Sequence, residues 1–313
     1  MLFTSLDDLA AEISLTPMQA IGIPLAVVGA VFLSVGTQFQ HRGVGHFQGG
    51  DQRGASLGGK AVLRMLREPA WVVGTVLLGL AIAFQLAALA FAPLIVVQPL
   101  GAVALVVTAL LNARLAGIRL DRLTVRAIII CLVGIGIFVF TAAIYAVERP
   151  ISDRQLLTVL ALLVVALAGL GAAWWFFRTR ANAIFYIVAA GVLYGFVVTL
   201  SKVVINRIIS GQFEWLTILC AVAMLVAVLA GSYAVQLAHA SGPPDLVIAG
   251  LTVIDPLIAV LIGVTVLGEA QATPPWAIIV YAGAGALAVT GVFQLARHHP
   301  QIRTLKPVSE EDE

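Results

Sequence analysis

The stretch Asp245–Glu269, DLVIAGLTVIDPLIAVLIGVTVLGE, decides the fold. It is long and apolar enough to cross a bilayer, whose core needs about 20 helical residues. Near its midpoint stands an Asp-Pro pair, Asp255-Pro256. A carboxylate at that depth is costly unless it faces water, a partner or a ligand. Pro256 cannot donate to the helix ladder, so the carbonyl near Thr252 is freed beside the charge. Ala249, Thr252, Pro256, Ala259 and Gly263 recur at spacings of three and four, giving one small-residue face for a close neighbour. These features predict a membrane-spanning helix along a substrate path.

Composition extends that reading to the whole chain. Of 313 residues 61% are hydrophobic and 11% charged, against roughly a quarter charged in a soluble domain. Apolar runs that can span fall at about 20–40, 71–92, 94–112, 124–145, 155–177, 183–203, 215–238, 246–267 and 276–296. The expected architecture is all-α: a polytopic integral membrane bundle of about nine transmembrane helices. Residues 1–19 read as an amphipathic acidic segment at the interface, 41–70 as a polar loop, and 297–313 as a charged tail. Cys131 and Cys220 both lie in apolar runs and read as small core residues, not as a disulfide or metal pair.

Basic residues give the orientation. Fourteen of the eighteen Lys and Arg fall on the side of the 41–70 loop, leaving Arg149, Arg154, Lys202 and Arg207 on the other. The positive-inside rule then places the N-terminus outside and the C-terminus in the cytoplasm. With the sixth span read as ending near 203, Lys202 is expected to snorkel to the outer interface.

The chain also repeats itself. Gln85-Leu-Ala-x-x-x-x-x-Pro93 recurs as Gln236-Leu-Ala-x-x-x-x-x-Pro244, and Gln98-Pro99-Leu-x-Ala-Val as Asp255-Pro256-Leu-x-Ala-Val. Residues 20–145 and 183–296 therefore form two four-helix repeats, with the span inside 146–182 joining them. Five crossings separate matched helices, so the second repeat is inverted, as in many secondary transporters.

At this point the residues resemble a known family. DPLIAVLIGVTVLGE followed by WAIIVYAGAGALAVTGVF is similar to the second half of an EamA-type domain of the drug/metabolite transporter superfamily. The first half, GIPLAVVGAVFLSVGTQFQHRGV and AALAFAPLIVVQPLGAVALVVTALL, resembles the NIPA-like magnesium transporter branch. The resemblance implies a bundle of two inverted repeats working by alternating access. The chain departs from that branch at Ile82, where the pattern has an acidic residue, and at Gly117-Ile118, where it has Asn-Glu. Magnesium prefers oxygen ligands, carboxylates among them, so these departures set the small-solute reading ahead of the magnesium one.

The expected substrate and coupling residues are Asp255, Tyr194, Gln98, Thr252, Gln85 and Gln236. Helix rise puts Asp255 about 14 Å from the cytoplasmic edge, with Tyr194 at nearly the same depth. Gln98, Gly101, Leu105, Thr108 and Asn112 share one stripe; Ser34, Gln38 and His41 form a second, and Ser232, Gln236 and His239 a third. Gln38, His41 and His239 would line the cytoplasmic mouth. Pro99 and Pro256 are the expected hinges, Gly191-x-x-x-Gly195 a close-packing motif, and Glu269 an interfacial anchor or helix-end contact.

The reading is thus a secondary transporter of a small metabolite or amine, with proton coupling an option; the alternative is divalent cation transport of the NIPA-like kind. No phosphate-binding loop, zinc motif or cofactor motif occurs, so no cofactor, nucleic-acid partner or resident metal is expected. An embedded enzyme and a subunit of a lipid-linked sugar exporter rank lower. Lipids and an ion or small-molecule substrate are the expected partners, and a homodimer is compatible with the chain.

Overall fold

The computed structural model describes residues 17–48, 68–115, 117, 120–148, 150–177 and 182–297. Among them there is no strand, and nine helical stretches are long and apolar enough to cross a membrane. They are α1 (Pro17–Gln48), α2 (Pro69–Phe91), a broken third span of α3 (Leu94–Leu100) and α4 (Val103–Leu115), α5 (Arg122–Tyr145), α6 (Asp153–Phe177), α7 (Ala183–Ile209), α8 (Trp215–Ser241), α9 (Pro244–Ile262), and α10 (Pro275–Arg297). A π-helical turn, Gly263–Leu267, completes the eighth span. The first helix runs to Gln48, past the start of the loop expected at 41–70. Residues 1–16, 49–67 and 298–313, which hold most of the expected interfacial segment, loop and tail, lie outside the described residues.

Two breaks have the same local cause. The residue before a proline is driven to extended backbone. Ala92 (φ −144°, ψ 153°) precedes Pro93, which caps α3, and Gly242 (φ −158°, ψ 173°) precedes Pro243, which caps α9. The repeated Gln-Leu-Ala…Pro motif therefore ends one helix and starts the next in both halves. The third span breaks again at Gly101-Ala102, two residues after Pro99, whereas α9 runs helical through Pro256 and changes pitch only at Gly263.

The helices meet on glycines. Gly22, Gly29, Gly36 and Gly43 stand seven apart on α1, and a Cβ on any of them would lie within about 3.3 Å of α2 at Ala92, Ala81, Gly74 or Trp71 respectively. Falling numbers on one helix against rising numbers on the other make the pair antiparallel. Gly191 and Gly195 of α7 face Ile254 and Ile258 of α9 at 2.6–2.7 Å for the missing Cβ, so that motif is a close parallel contact. Gly134 and Gly291 seat α5 against α10 in the same way.

The neighbours repeat with the sequence. In the first half α1 packs on α2 and on α4, and α3 on α5; in the second α7 packs on α8 and on α9, and α9 on α10. The halves join mainly through α5 against α10, with smaller contacts of α3 on α9 and α2 on α7. Helix α6 lies outside, against α7 and α8. Large apolar side chains such as Val165, Phe176 and Ile279 are more than two-thirds exposed on the outer faces, which suits hydrocarbon and not water.

Candidate functional site

Alternating helix direction gives the bundle two unlike ends. One carries Arg42, Arg114, Arg122, Arg126 and Arg297 and is called the basic end here. The other gathers the start of α1, the α2–α3 break, the end of α5 and the end of α7: Gln19 donates to the carbonyl of Ala146 (3.2 Å), and Lys202 reaches Ala92 (2.8 Å).

A polar cavity of about 480 Å³ occupies the basic half, between α1, α3–α4, α9 and α10. Ser34, Thr37, Gln38, Thr108, Asn112 and Thr252 supply its polar groups, with Gly101, Ala104 and Leu105 on the same wall. The stripe read from 101 to 112 thus faces the stripe read from 34 to 38. Two bonds fix their register: Ser34 Oγ donates to the carbonyl of Ala104 at 2.7 Å, and Gln38 Nε2 donates to Asn112 Oδ1. A smaller, almost wholly apolar cavity of about 110 Å³ lies between α3, α5, α9 and α10. Pro99 and Pro256 both border it, and Thr252 borders both cavities.

Asp255 borders neither cavity. It is half-buried one helical turn from Thr252, and its Oδ1 is buried with no hydrogen-bond partner in the protein. Gln98, its repeat counterpart, is 4% exposed, and its Nε2 is likewise unpartnered. Each such group costs about 1–3 kcal/mol while it stays unmatched. The other expected residues disperse. Tyr194 is turned to α8, its hydroxyl 3.2 Å from Ser232 Oγ and its ring against Gly231. Gln85 is half-buried on α2 beside Gly29, while Gln236 and His239 are exposed on α8. The side chain of His41 lies outside the described residues.

A second constellation was not legible beforehand. Lys202 is 3% exposed and does not snorkel, which corrects the expectation. Helix α7 continues to Ile209, two turns beyond the end assigned from hydropathy, so Lys202 is inside the bundle. Its Nζ lies 2.7 Å from Glu148 Oε1, 2.8 Å from the Ala92 carbonyl, 3.5 Å from the Leu89 carbonyl and 3.7 Å from Glu269 Oε1. Glu269, also 3% exposed, accepts from the backbone N–H of Leu94 (2.8 Å) and of Ile95 (2.9 Å), so it caps α3. Gly263 leaves the space its carboxylate fills, since a Cβ there would sit 2.8 Å from Oε2. Gly268, at φ +74°, turns the chain so that Glu269 points inward. Gln155 of α6 closes the same end by donating to the carbonyl of Val266 at 3.0 Å.

A model of the family described as "Magnesium transporter NIPA" matches residues 18–267, which hold the cavity walls and the Lys202 network except Gly268, Glu269 and α10. The chain belongs to the NIPA magnesium transporter family. A relative in Corynebacterium glutamicum, itself described as uncharacterized, is 25% identical over 261 residues, 82% of this chain and 88% of its own. No solved structure matches the chain. Membership corrects the weighting of substrates, because it favours the divalent-cation alternative over the small-solute reading. The structure removes one reason for the original order. Ile82 of this NIPA-family protein is 62% exposed on the outer surface of α2 and borders neither cavity, so an acid there would not line the polar cavity. Among the described residues no three His, Cys, Asp or Glu side chains cluster as a metal cage.

Proposed function

We propose that this NIPA-family protein moves magnesium, or a divalent cation of similar hydration, across the plasma membrane by alternating access between its two inverted repeats. The observation that carries the reading is the cavity whose polar groups are uncharged hydroxyls and amides, all of them within the segment that matches the family. Magnesium sheds its waters reluctantly and is held through several of them. Six waters at about 30 Å³ each need about 180 Å³, which fits within the cavity of about 480 Å³. Hydroxyl and amide oxygens of Ser34, Thr37, Gln38, Thr108, Asn112 and Thr252 would accept hydrogen bonds from that shell. Asp255 supplies negative charge one turn further along α9. With the basic end in the cytoplasm, the cavity lies on the inner side and the Lys202 network closes the outer side.

Purified protein in proteoliposomes loaded with a magnesium-sensitive dye tests this, with an amine panel and a pH gradient run in parallel. Magnesium flux reduced in Asn112→Leu and in Asp255→Asn is the expected result. Proton-dependent amine flux with no magnesium flux overturns it in favour of the small-solute reading.

A further inference from the structure

We infer that the oxygen cage around Lys202 Nζ is a cation subsite on the end of the bundle away from the cavity, held by the ammonium until an incoming divalent cation displaces it. The inference rests on the transport reading above and adds a site to it. Four oxygens surround the nitrogen: Glu148 Oε1 at 2.7 Å, Glu269 Oε1 at 3.7 Å, and the carbonyls of Ala92 and Leu89 at 2.8 and 3.5 Å. Two carboxylates and two carbonyls make a hard-oxygen donor set of the kind that suits magnesium or calcium.

The carbonyls are available because α2 stops before Pro93, and carbonyls at the C-terminal end of a broken helix are a recurrent cation ligand in transporters. Charge points the same way. Two carboxylates and one ammonium leave the cage at net −1, and a divalent cation matches the two carboxylates once the ammonium withdraws toward the open edge at Glu148. Glu148, with its side chain 29% exposed, is the open edge through which a cation arrives, while Lys202 and Glu269 are each 4% exposed. Magnesium bonds to oxygen at about 2.1 Å, so the two near oxygens close by about 0.6 Å and waters fill the remaining positions. Release of Lys202 frees α7 from the α2–α3 break and from Glu148, the contacts that shut this end.

The test measures binding without transport. Mn²⁺ is titrated by paramagnetic resonance into detergent-purified wild type, Lys202→Met, and Lys202→Met combined with Glu148→Gln. The expected result is a site in Lys202→Met, beside any binding in the cavity, that is tighter than in wild type by at least about 10-fold and weakened by at least about 10-fold in the double variant. Binding in Lys202→Met no tighter than in wild type, or undiminished in the double variant, overturns the inference. Should Lys202→Met fail to fold, Glu148→Gln alone decides. Its half-saturating magnesium should rise by about 10-fold from the Glu148 side of oriented vesicles and stay unchanged from the basic side. An equal change from both sides overturns the inference. The Glu148-dependent Mn²⁺ site without magnesium flux refutes the transport reading alone, and flux without that site refutes the cage alone.

Discussion

Replacing Gly134 by alanine would put a methyl carbon 2.4 Å from the backbone nitrogen of Ala288 and 2.8 Å from the carbonyl oxygen of Ala284. Optimal carbon contacts lie at about 3.5–4.0 Å, so α5 and α10 must part by about 1 Å. The atoms in the way belong to a helix backbone, and no rotamer change can relieve them. Overpacking of this kind costs about 1–3 kcal/mol, and a backbone obstacle puts it at the upper end. Gly136, two residues on, is the internal control: a Cβ there meets nothing within 4 Å. Both substitutions gain the same helix propensity, about 0.5–1 kcal/mol, so the difference between them isolates the seam. Gly134→Ala should unfold in mixed micelles at a lower denaturant midpoint than Gly136→Ala, by an amount equivalent to about 2–3 kcal/mol. Gly291→Ala, whose Cβ would sit 2.5 Å from the nitrogen of Cys131, should behave like Gly134→Ala. The double variant Gly134→Ala/Gly291→Ala should cost less than the sum, because one separation relieves both contacts. Equal midpoints for the Gly134 and Gly136 variants would refute the α5–α10 interface as the closely packed join between the halves.

Glu269→Gln should destabilise the protein by about 3–5 kcal/mol, read from the same unfolding midpoints, because it leaves a backbone donor of α3 opposed by an amide and Lys202 short of one counter-charge. An effect under about 0.5 kcal/mol would place Glu269 outside the network. Asn112→Leu removes the partner of Gln38 in the cavity wall; magnesium flux per folded molecule should fall several-fold, and unchanged flux would detach the cavity from transport. Asp255→Asn retains an oxygen at the same place but loses the charge, so flux should fall while the folded yield holds or rises. Ile82→Glu restores an acid at the position where the family pattern has one, yet on the outer surface of α2. The folded yield should drop and flux per folded molecule should stay level; a gain in flux would show that this face meets the transport path.

Much of the architecture was legible because it rests on local chemistry. Hydropathy alone located nine crossings, since each needs one apolar run of bilayer length. The prolines at 93 and 243–244 end helices wherever the chain goes, so the repeated motif placed matching breaks in both halves. Gly191 and Gly195 announced a close contact by spacing. The glycines at 22, 29, 36 and 43 carried the same signal at a seven-residue period, and attention to that period would have found the α1–α2 seam. The stripes at 34–38 and 101–112 were each visible on their own helix, and only their meeting across one cavity needed coordinates.

The sequence by itself determined which segments cross, that helices stop before the prolines at 93 and 243, and which faces allow close approach, because these follow from neighbours within a turn or two. The tertiary structure alone decided that Lys202, Glu148 and Glu269 meet. Glu269 caps Leu94 from 175 residues away, and Lys202 reaches Glu148 across 54. No periodicity encodes such a meeting. An ion pair in a membrane bundle is fixed by which helix ends the packing brings to one place, and there the cost of a buried charge selects its partner.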